Sequence, residues 1–441
     1  MRLGSFTRDV GALGVGTTLA QAVTVAVLPV LSRLYTPAEF GMFGLFMSCL
    51  SIGGLISAGA YERAILLPRE ESEAAAVFGT ALLIALLTTG LGMVAVALWG
   101  TAASRALGTP SLSSWLYWLP VGTLAIGVSE TLKHWTGREQ RFALIGRARA
   151  IQMAATGAMQ VALGAARPMG GGGLVLGRVG GIALLAGLLG RPSWRRLGRT
   201  LRALPGRAYW SAAVRFKKFP QFVTGSMLFS QATVAAPIFI IALNFPSDTV
   251  GQFAMVQRLL SAPMQVVGDA FEQVFFQRGS AEQQRTGSPR ESVEQTFLYL
   301  LVLILLPVAI LGTAGRELMV WLLGRPWDGA GQMTVWLAPL LGLSFVTAPL
   351  YPVFNLRERQ ELFLAFQATR GVLALGTVYL VGRATHDIHE TLMAYVGVEC
   401  LMQLLALTVA FHLAGATPAG VARRGVALWK SLRHRGAGGA S

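Results

Sequence analysis

The sequence has 441 residues, 53% of them hydrophobic and 13% charged, with a mean hydropathy of +0.55. A soluble globular domain carries about 25% charged residues, so this composition excludes one and indicates a chain that crosses a membrane many times. The net charge of +16 would fit a nucleic-acid partner, but its distribution along the chain argues against nucleic acid.

The N-terminal "MRLGSFTRDV" runs into an apolar stretch with no small-residue cleavage site, which reads as an uncleaved first span rather than a signal peptide. Apolar runs of about the ~20 residues that a bilayer helix needs then recur to the end of the chain. Twelve spans are expected near residues 10–34, 40–61, 76–99, 115–132, 150–166, 173–190, 219–244, 250–275, 293–313, 331–355, 361–382 and 389–413. With the N-terminus, the even-to-odd loops and the C-terminus on one side, that side holds 28 Lys and Arg, and the opposite side holds 6, counting Arg33 at the outer edge of the first span. The remaining three, Arg178, Arg258 and Arg370, fall within spans. Basic residues concentrate on the cytoplasmic side of membrane proteins, so both termini are expected in the cytoplasm.

One connection is longer than the rest. In residues 191–218, Trp194, Leu197, Leu201 and Leu204 share one helical face and Arg195, Arg196, Arg199 and Arg202 the other. That pattern suits a helix lying in the membrane surface. It divides the chain into an N-terminal lobe at 1–190, this amphipathic cytoplasmic linker, a C-terminal lobe at 219–415 and a basic tail at 416–441. The halves resemble one another. "GTTLAQAVTVA" (16–26) matches "GSMLFSQATVA" (225–235), "PAE" (37–39) matches "PSD" (246–248), and Gly41 and Phe43 match Gly251 and Phe253 after a one-residue insertion. "AYE" (60–62) matches "AFE" (270–272), which pairs Glu62 with Glu272. Six spans per half is an even number, so the repeats run parallel. Parallel repeats are a transporter architecture, with the binding site near the midplane.

Polar residues at bilayer depth mark candidate sites, since a charge at the bilayer centre costs between about 3 and 10 kcal/mol or more. On an ideal helix Gln265 lies about 20° behind Arg258, Asp269 about 20° ahead and Glu272 about 40° behind. These four form one polar stripe on the eighth span, suited to a water-filled cavity, to a ladder of ion pairs with neighbouring helices or, for Glu272, to snorkelling at the helix end. Arg370 in span eleven and Glu399 in span twelve either join such a cavity or pair with each other. Arg178 lies in the outer part of span six and either faces the cavity or snorkels. Span one offers Thr17, Thr18, Gln21 and Thr24, and span seven offers Gln221, Ser226, Ser230 and Thr233. Such hydroxyl and amide groups bind sugars and also join helices. Glu62, Asp269, Glu272 and Glu399 are the candidates for coupling to a cation gradient. Pro29 and Pro237 can kink spans one and seven.

Motifs of soluble catalysis are missing. No lysine follows a glycine, which excludes a P-loop, and there is no H-E-x-x-H. His386 and His389 in "HDIHE" have metal-like spacing but no third ligand in view. "GGGG" (170–173) follows no strand and reads as a flexible turn. Cys49 and Cys400 sit in apolar runs and imply neither disulfide nor metal. The outer loops are short, which tells against a glycosyltransferase or polymerase. Neither enzymatic activity nor a cofactor is expected.

Five stretches together resemble the lipid-linked oligosaccharide flippases, the Wzx-type polysaccharide translocases of the MOP superfamily. They are "LPVLSRLYTPAEFGMFGLF" (28–46), "YERAILLP" (61–68), "HWTGREQRFALIGRAR" (134–149), "AMVQRLLSAPMQVVGDAFEQVFF" (254–276) and "LLGRPWDGAGQMTVWLAPL" (322–340). The resemblance implies an all-α integral membrane protein with twelve spans in two parallel lobes of six, a MATE-like V-shaped transporter. It implies transport of a polyprenyl-pyrophosphate-linked oligosaccharide across a bacterial inner membrane, with a cationic cavity for the pyrophosphate and sugars. Arg258 is then the first candidate for the cavity and Arg370 the second. Membrane lipid, a polysaccharide polymerase and other assembly proteins are the expected partners. The rival readings are a cation-coupled multidrug exporter of the same superfamily, which would favour acids and aromatics in its cavity, and a non-transporting scaffold for polysaccharide enzymes. The arginine in the eighth span leans against the exporter, and a scaffold would have no reason to place polar stripes at matching depth in both halves.

Overall fold

The computed structural model describes residue 23, residues 25–166 and residues 169–426, and every regular element among them is helical. The first part of the chain contains α1 (Val25–Leu34), α2 (Pro37–Ile56), α3 (Tyr61–Ala64), α4 (Glu71–Ala106), α5 (Leu112–Trp115), α6 (Trp118–Arg138), α7 (Phe142–Ala165), α8 (Gly172–Ala203), α9 (Gly206–Arg215) and α10 (Gly225–Asn244). There follow α11 (Ser247–Thr286), α12 (Arg290–Leu323), α13 (Asp328–Thr347), α14 (Pro352–Leu356), α15 (Gln360–Thr385) and α16 (Ile388–Ala414). All but the short α3, α5, α9 and α14 overlap the twelve expected spans one for one. The first of those spans is described only from its second half.

Among the described residues, seven spans are both long and apolar enough to cross a bilayer: α2, α4, α12, α15, α16, the Gly172–Trp194 part of α8 and the run Arg325–Leu356 around α13. Helices α6, α7 and α11, of 21, 24 and 40 residues, have the length but carry more polar groups, and α10 is apolar over its described part, Val234–Asn244. Polar groups at membrane depth are tolerated where they face protein or a cavity. At 1.5 Å per residue α11 is about 60 Å long, roughly twice the ~30 Å hydrocarbon core, so it extends well past the membrane.

The chain forms two compact units, Met1–Met255 and Val256–Ser441. In the first, α10 and the opening turns of α11 pack with the preceding helices. Thr36 and Glu39 form a capping box at the start of α2, with Pro37 as its first residue. Where α2 meets α11, a Cβ added to Gly41 would strike the carbonyl oxygen of Ser247 and lie 3.0 Å from the Gly251 nitrogen. A Cβ on Gly251 would strike the Pro37 carbonyl and lie 2.8 Å from the Gly41 nitrogen. The contact is reciprocal. It also corrects the alignment of the repeats. Pro37 and Ser247 open the two helices and occupy equivalent places, so the one-residue insertion falls before residue 37.

Helix α8 carries Gly173, Gly177 and Gly181 at intervals of four. Leu163, Gln160 and Thr156 of α7 lie against them so closely that an added Cβ would overlap each neighbour or press on it. Small residues at this spacing let membrane helices approach backbone to backbone. The "GGGG" stretch is accordingly not a loose turn. Gly170 takes a left-handed φ of +50°, and Gly172 and Gly173 start α8 with the Trp115 ring and the Tyr35 hydroxyl where their Cβ atoms would be.

The linker also differs from its sequence reading. Helix α8 continues through Pro192 to Ala203 instead of breaking into a separate surface helix. Leu197 is buried, and Leu201 and Leu204 pack on the same core as Phe78, Trp135 and Phe216, while Trp194 stays exposed. The leucine face meets protein because α9 folds back across the N-terminal end of α4, and its Ala212 and the following Phe216 join the same core.

In the second unit α12, α13, α15 and α16 pack on one another, with Phe275, Val293, Leu350, Val353 and Phe354 in one core. Glu282 accepts hydrogen bonds from the Glu291 and Ser292 amides at 2.7 and 2.8 Å and so caps α12. The buried Glu294 binds Arg290 and Arg424, at 3.0 Å each, and the Thr417 amide, fastening residues 418–426 to α12.

Candidate functional site

A cleft of about 180 Å³ opens inside the first unit between α6, α7 and α8. Its apolar walls are Ile126, Ile145, Met153, Ile182, Leu185 and Leu189, and its polar lining is Ser129, Glu130, Lys133, Arg149, Gln152 and Arg178. The glycine stripe of α8 brings α7 near, and Arg178 follows directly after Gly177 in that stripe. Arg178 is half-buried and its Nε, wholly shielded from solvent, has no hydrogen-bond partner among the described residues. Arg149 acts on it electrostatically. Lys133 pairs with Glu130 one turn earlier on α6. Three cations thus face a single carboxylate in the lining. An unneutralised guanidinium in a bilayer-depth bundle is expensive, and an anion accepting charge-assisted hydrogen bonds offsets that cost.

Glu62 on α3 senses the charges of both Glu130 and Lys133. Burial, together with Glu130, holds its carboxyl above the usual carboxylate range, against the opposing effect of a backbone hydrogen bond. Its Oε2 is shielded and has no hydrogen-bond partner among the described residues.

The second unit holds a different polar cluster. Arg370 Nε donates to Glu399 Oε2 at 2.8 Å, and Nη1 reaches Gln367 at 3.5 Å. Tyr351 donates to Gln403 at 2.7 Å, which in turn donates to Ser344 at 3.2 Å. Of the two alternatives open for Arg370 and Glu399, the structure has the ion pair.

Helix α11 runs unbroken through 258, 265, 269 and 272, so the four positions do share one face. Arg258 is half-buried, Glu272 is exposed, and each has an interaction partner. Measured from Ser247, Arg258 lies about 17 Å along the helix and Asp269 and Glu272 about 33 and 38 Å. On a ~30 Å hydrocarbon core entered near Ser247, that is the middle for the arginine and just past the far boundary for the two acids. The side chains of Gln265 and Asp269, and of Ser226, Ser230 and Thr233, lie outside the described residues, as do Thr17, Thr18, Gln21 and Thr24 entirely. Among the described residues no group of three or more His, Cys, Asp or Glu could hold a metal ion. His389 packs on Trp336, 4.6 Å between ring centres.

Sequence reasoning found Arg178 but missed Glu130, Lys133, Arg149 and Gln152. All but Gln152 lie at a span edge, where a charge ordinarily reports topology. The one available signal was that Glu130 and Lys133 stand one turn apart inside a helix that continues to Arg138.

The fold is that of known transporters. A multidrug resistance MATE family transporter of the MOP superfamily, inward-facing, superimposes with a TM-score of 0.65 at 15% identity, over 91% of this chain and 95% of that one. The lipid II flippase MurJ in an inward closed conformation gives 0.69 at 8% identity, over 93% and 88%. A MOP superfamily transporter from Pyrococcus furiosus gives 0.58 at 14%, over 92% and 95%. Among curated protein sequences none matches. The family model described as "Polysaccharide biosynthesis protein" matches residues 30–332, more than half of the sequence and all of the α6–α8 cleft, so this multi-pass membrane protein belongs to the polysaccharide biosynthesis protein family.

Proposed function

We propose that the protein is a flippase that carries a polyprenyl-pyrophosphate-linked oligosaccharide from the cytoplasmic to the outer leaflet of a bacterial inner membrane, for O-antigen, capsule or exopolysaccharide synthesis. The observation that carries this reading is the excess of cations in the α6–α8 cleft. A diphosphate with a hydrated glycan cannot cross hydrocarbon unaided, because each unpaired polar group costs several kcal/mol there. Guanidinium groups replace its water with charge-assisted hydrogen bonds. A cavity for cationic drugs would need the opposite charge. Arg178 and Arg149 hold the phosphates in this reading, with Arg258, Gln265, Asp269 and Glu272 as a second polar group on α11 and Glu62 as the site of ion coupling. Arg370 bears less on the substrate because Glu399 already neutralises it. A polymerase and other assembly proteins consume the glycan outside.

Loss of the gene is expected to abolish a surface glycan and to accumulate its lipid-linked precursor in the inner leaflet. Persistence of the glycan together with new sensitivity to cationic dyes would give the exporter reading instead. In the null strain Arg178→Ala is expected to fail to restore the glycan at normal membrane level. A charged hydrogen bond is worth about 1.5–3 kcal/mol, so substrate affinity drops roughly ten- to hundred-fold. Arg178→Lys keeps the charge without the planar fork and is expected to restore part of the glycan. A membrane level that falls with Arg178→Ala while activity per molecule stays normal would make the residue structural.

The orientation follows from the distribution of basic residues. After removal of Cys49 and Cys400, cysteines at the exposed Ser111 and Asp248 are expected to react with an impermeant thiol reagent from outside, and one at the exposed Ser211 only after the membrane is opened. The reverse pattern would invert the topology and with it the direction of transport.

A further inference from the structure

We infer that α9 is an anchor for anionic lipid in the cytoplasmic leaflet, through a face that no other element covers among the described residues. The inner face of α9 is fixed to protein. Ala212 and Phe216 are buried, the Tyr209 ring lies where a Cβ of Gly79 would be, and its hydroxyl donates to the Leu201 carbonyl at 2.7 Å. Thr80 donates to the Tyr209 carbonyl at 3.1 Å, Tyr61 donates to the Ala213 carbonyl at 2.8 Å, and Arg215 pairs with Glu73. Gly79 and Thr80 lie a few residues inside the apolar run of α4 that begins near 76. Helix α9 therefore sits at the level of the membrane surface, not out in the cytoplasm.

On the side of the helix away from Ala212 stand Arg207, Trp210 and Val214, and Lys217 and Lys218 follow just beyond its last residue, Arg215. Trp210 is 74% exposed and Val214 48%, and the three cations are exposed and make no ion pair among the described residues. A rigidly held helix that shows tryptophan and valine outward, ringed by unpaired cations, has the composition of an interfacial helix. Tryptophan prefers the headgroup level. The cationic ring complements phosphate-bearing anionic headgroups, and no carboxylate on that face opposes them. The apolar run of α8 ends at Trp194, also exposed at 55%, which marks the same level. The occupant of this face is therefore lipid rather than a protein partner. Through it, the connection that joins the first six spans to the rest of the chain is tied to the charge of the leaflet.

The full-length protein, with Cys49 and Cys400 replaced and Val214→Cys carrying an environment-sensitive fluorophore, would be reconstituted in bilayers of zwitterionic lipid alone and in bilayers with added phosphatidylglycerol. The probe is expected to shift to the blue and to lose accessibility to aqueous quencher as the anionic fraction rises. Each cation replaced (Arg207→Gln, Lys217→Gln, Lys218→Gln) is expected to weaken the association about fivefold, the factor that about 1 kcal/mol per basic residue gives. These residues are exposed, so thermal stability in detergent should be unchanged. A probe equally open to quencher in both bilayers overturns the proposal. So does protection that appears only when other membrane proteins are present, because the face would then bind protein.

Discussion

Gly251→Leu is expected to give the largest loss of folded protein of any glycine substitution in α11. Its Cβ would fall on the Pro37 carbonyl of α2, and the rest of the side chain has nowhere to go that does not push the two helices apart. Overpacking a well-filled site costs about 1–3 kcal/mol, and more when the obstacle is backbone and cannot change rotamer. Gly41→Leu meets the Ser247 carbonyl in the same way and is expected to cost a similar amount, since the contact is reciprocal. Gly376→Ala on α15 is the control. An added Cβ there has nothing within 4 Å, and exchanging a mid-helix glycine for alanine stabilises by about 0.5–1 kcal/mol. Thermal unfolding of the purified proteins, with their membrane levels, checks all three. Equal behaviour of Gly251→Leu and Gly376→Ala would show that α2 and α11 do not touch in the membrane.

The second large effect is expected at Glu399. Its side chain is 5% exposed and that of Arg370 26%. Glu399→Ala leaves the guanidinium without its carboxylate at membrane depth, a loss of about 3–5 kcal/mol. The double variant Glu399→Leu/Arg370→Leu removes both charges, and for buried pairs an apolar replacement of similar volume is often neutral. It is expected to unfold near the wild-type temperature, so the two changes are strongly non-additive. The double variant also decides the role of Arg370. Glycan restored in a null strain by the double variant makes the pair a brace between α15 and α16. Glycan lost at normal protein level would return Arg370 to the substrate path.

One member of the α6–α8 cleft was legible in the sequence, and most of its lining was not. Arg178 stands out because an arginine within a span has no topological use. Arg149 does not stand out. It lies one residue before the expected fifth span, where basic residues accumulate on the cytoplasmic side of any membrane protein. Only the packing of α6, α7 and α8 turns it and Arg178 toward one cleft. Glu130 and Lys133 are hidden for the same reason. Several residues that carry the family resemblance prove to be scaffold. Thr36, Pro37 and Glu39 start a helix, and Trp135 donates to Glu139 at 2.9 Å. Arg138 donates to the Ile65 carbonyl at 3.0 Å, Trp327 is fully buried, and Asp328 accepts two hydrogen bonds from Arg316 at 2.7 and 2.8 Å.

The sequence by itself determined what hydrocarbon demands of a chain. In a bilayer every backbone group must find a partner within the protein, so apolar runs of about 20 residues mean helices, and the basic residues between them predict a direction for each. The internal repeat was equally visible, because related halves keep glycines and helix starts in the same order. The tertiary structure alone decided which polar residues meet. Arg370 and Glu399 are 29 residues apart and on different helices, and nothing in their spacing distinguishes a pair from two separate cavity residues. It also decided that Leu197, Leu201 and Leu204 face protein while Trp210 faces outward. An amphipathic helix announces that it has an apolar face, but not whether lipid or another helix will cover it, since both are apolar. That choice depends on which surface the rest of the fold brings within reach.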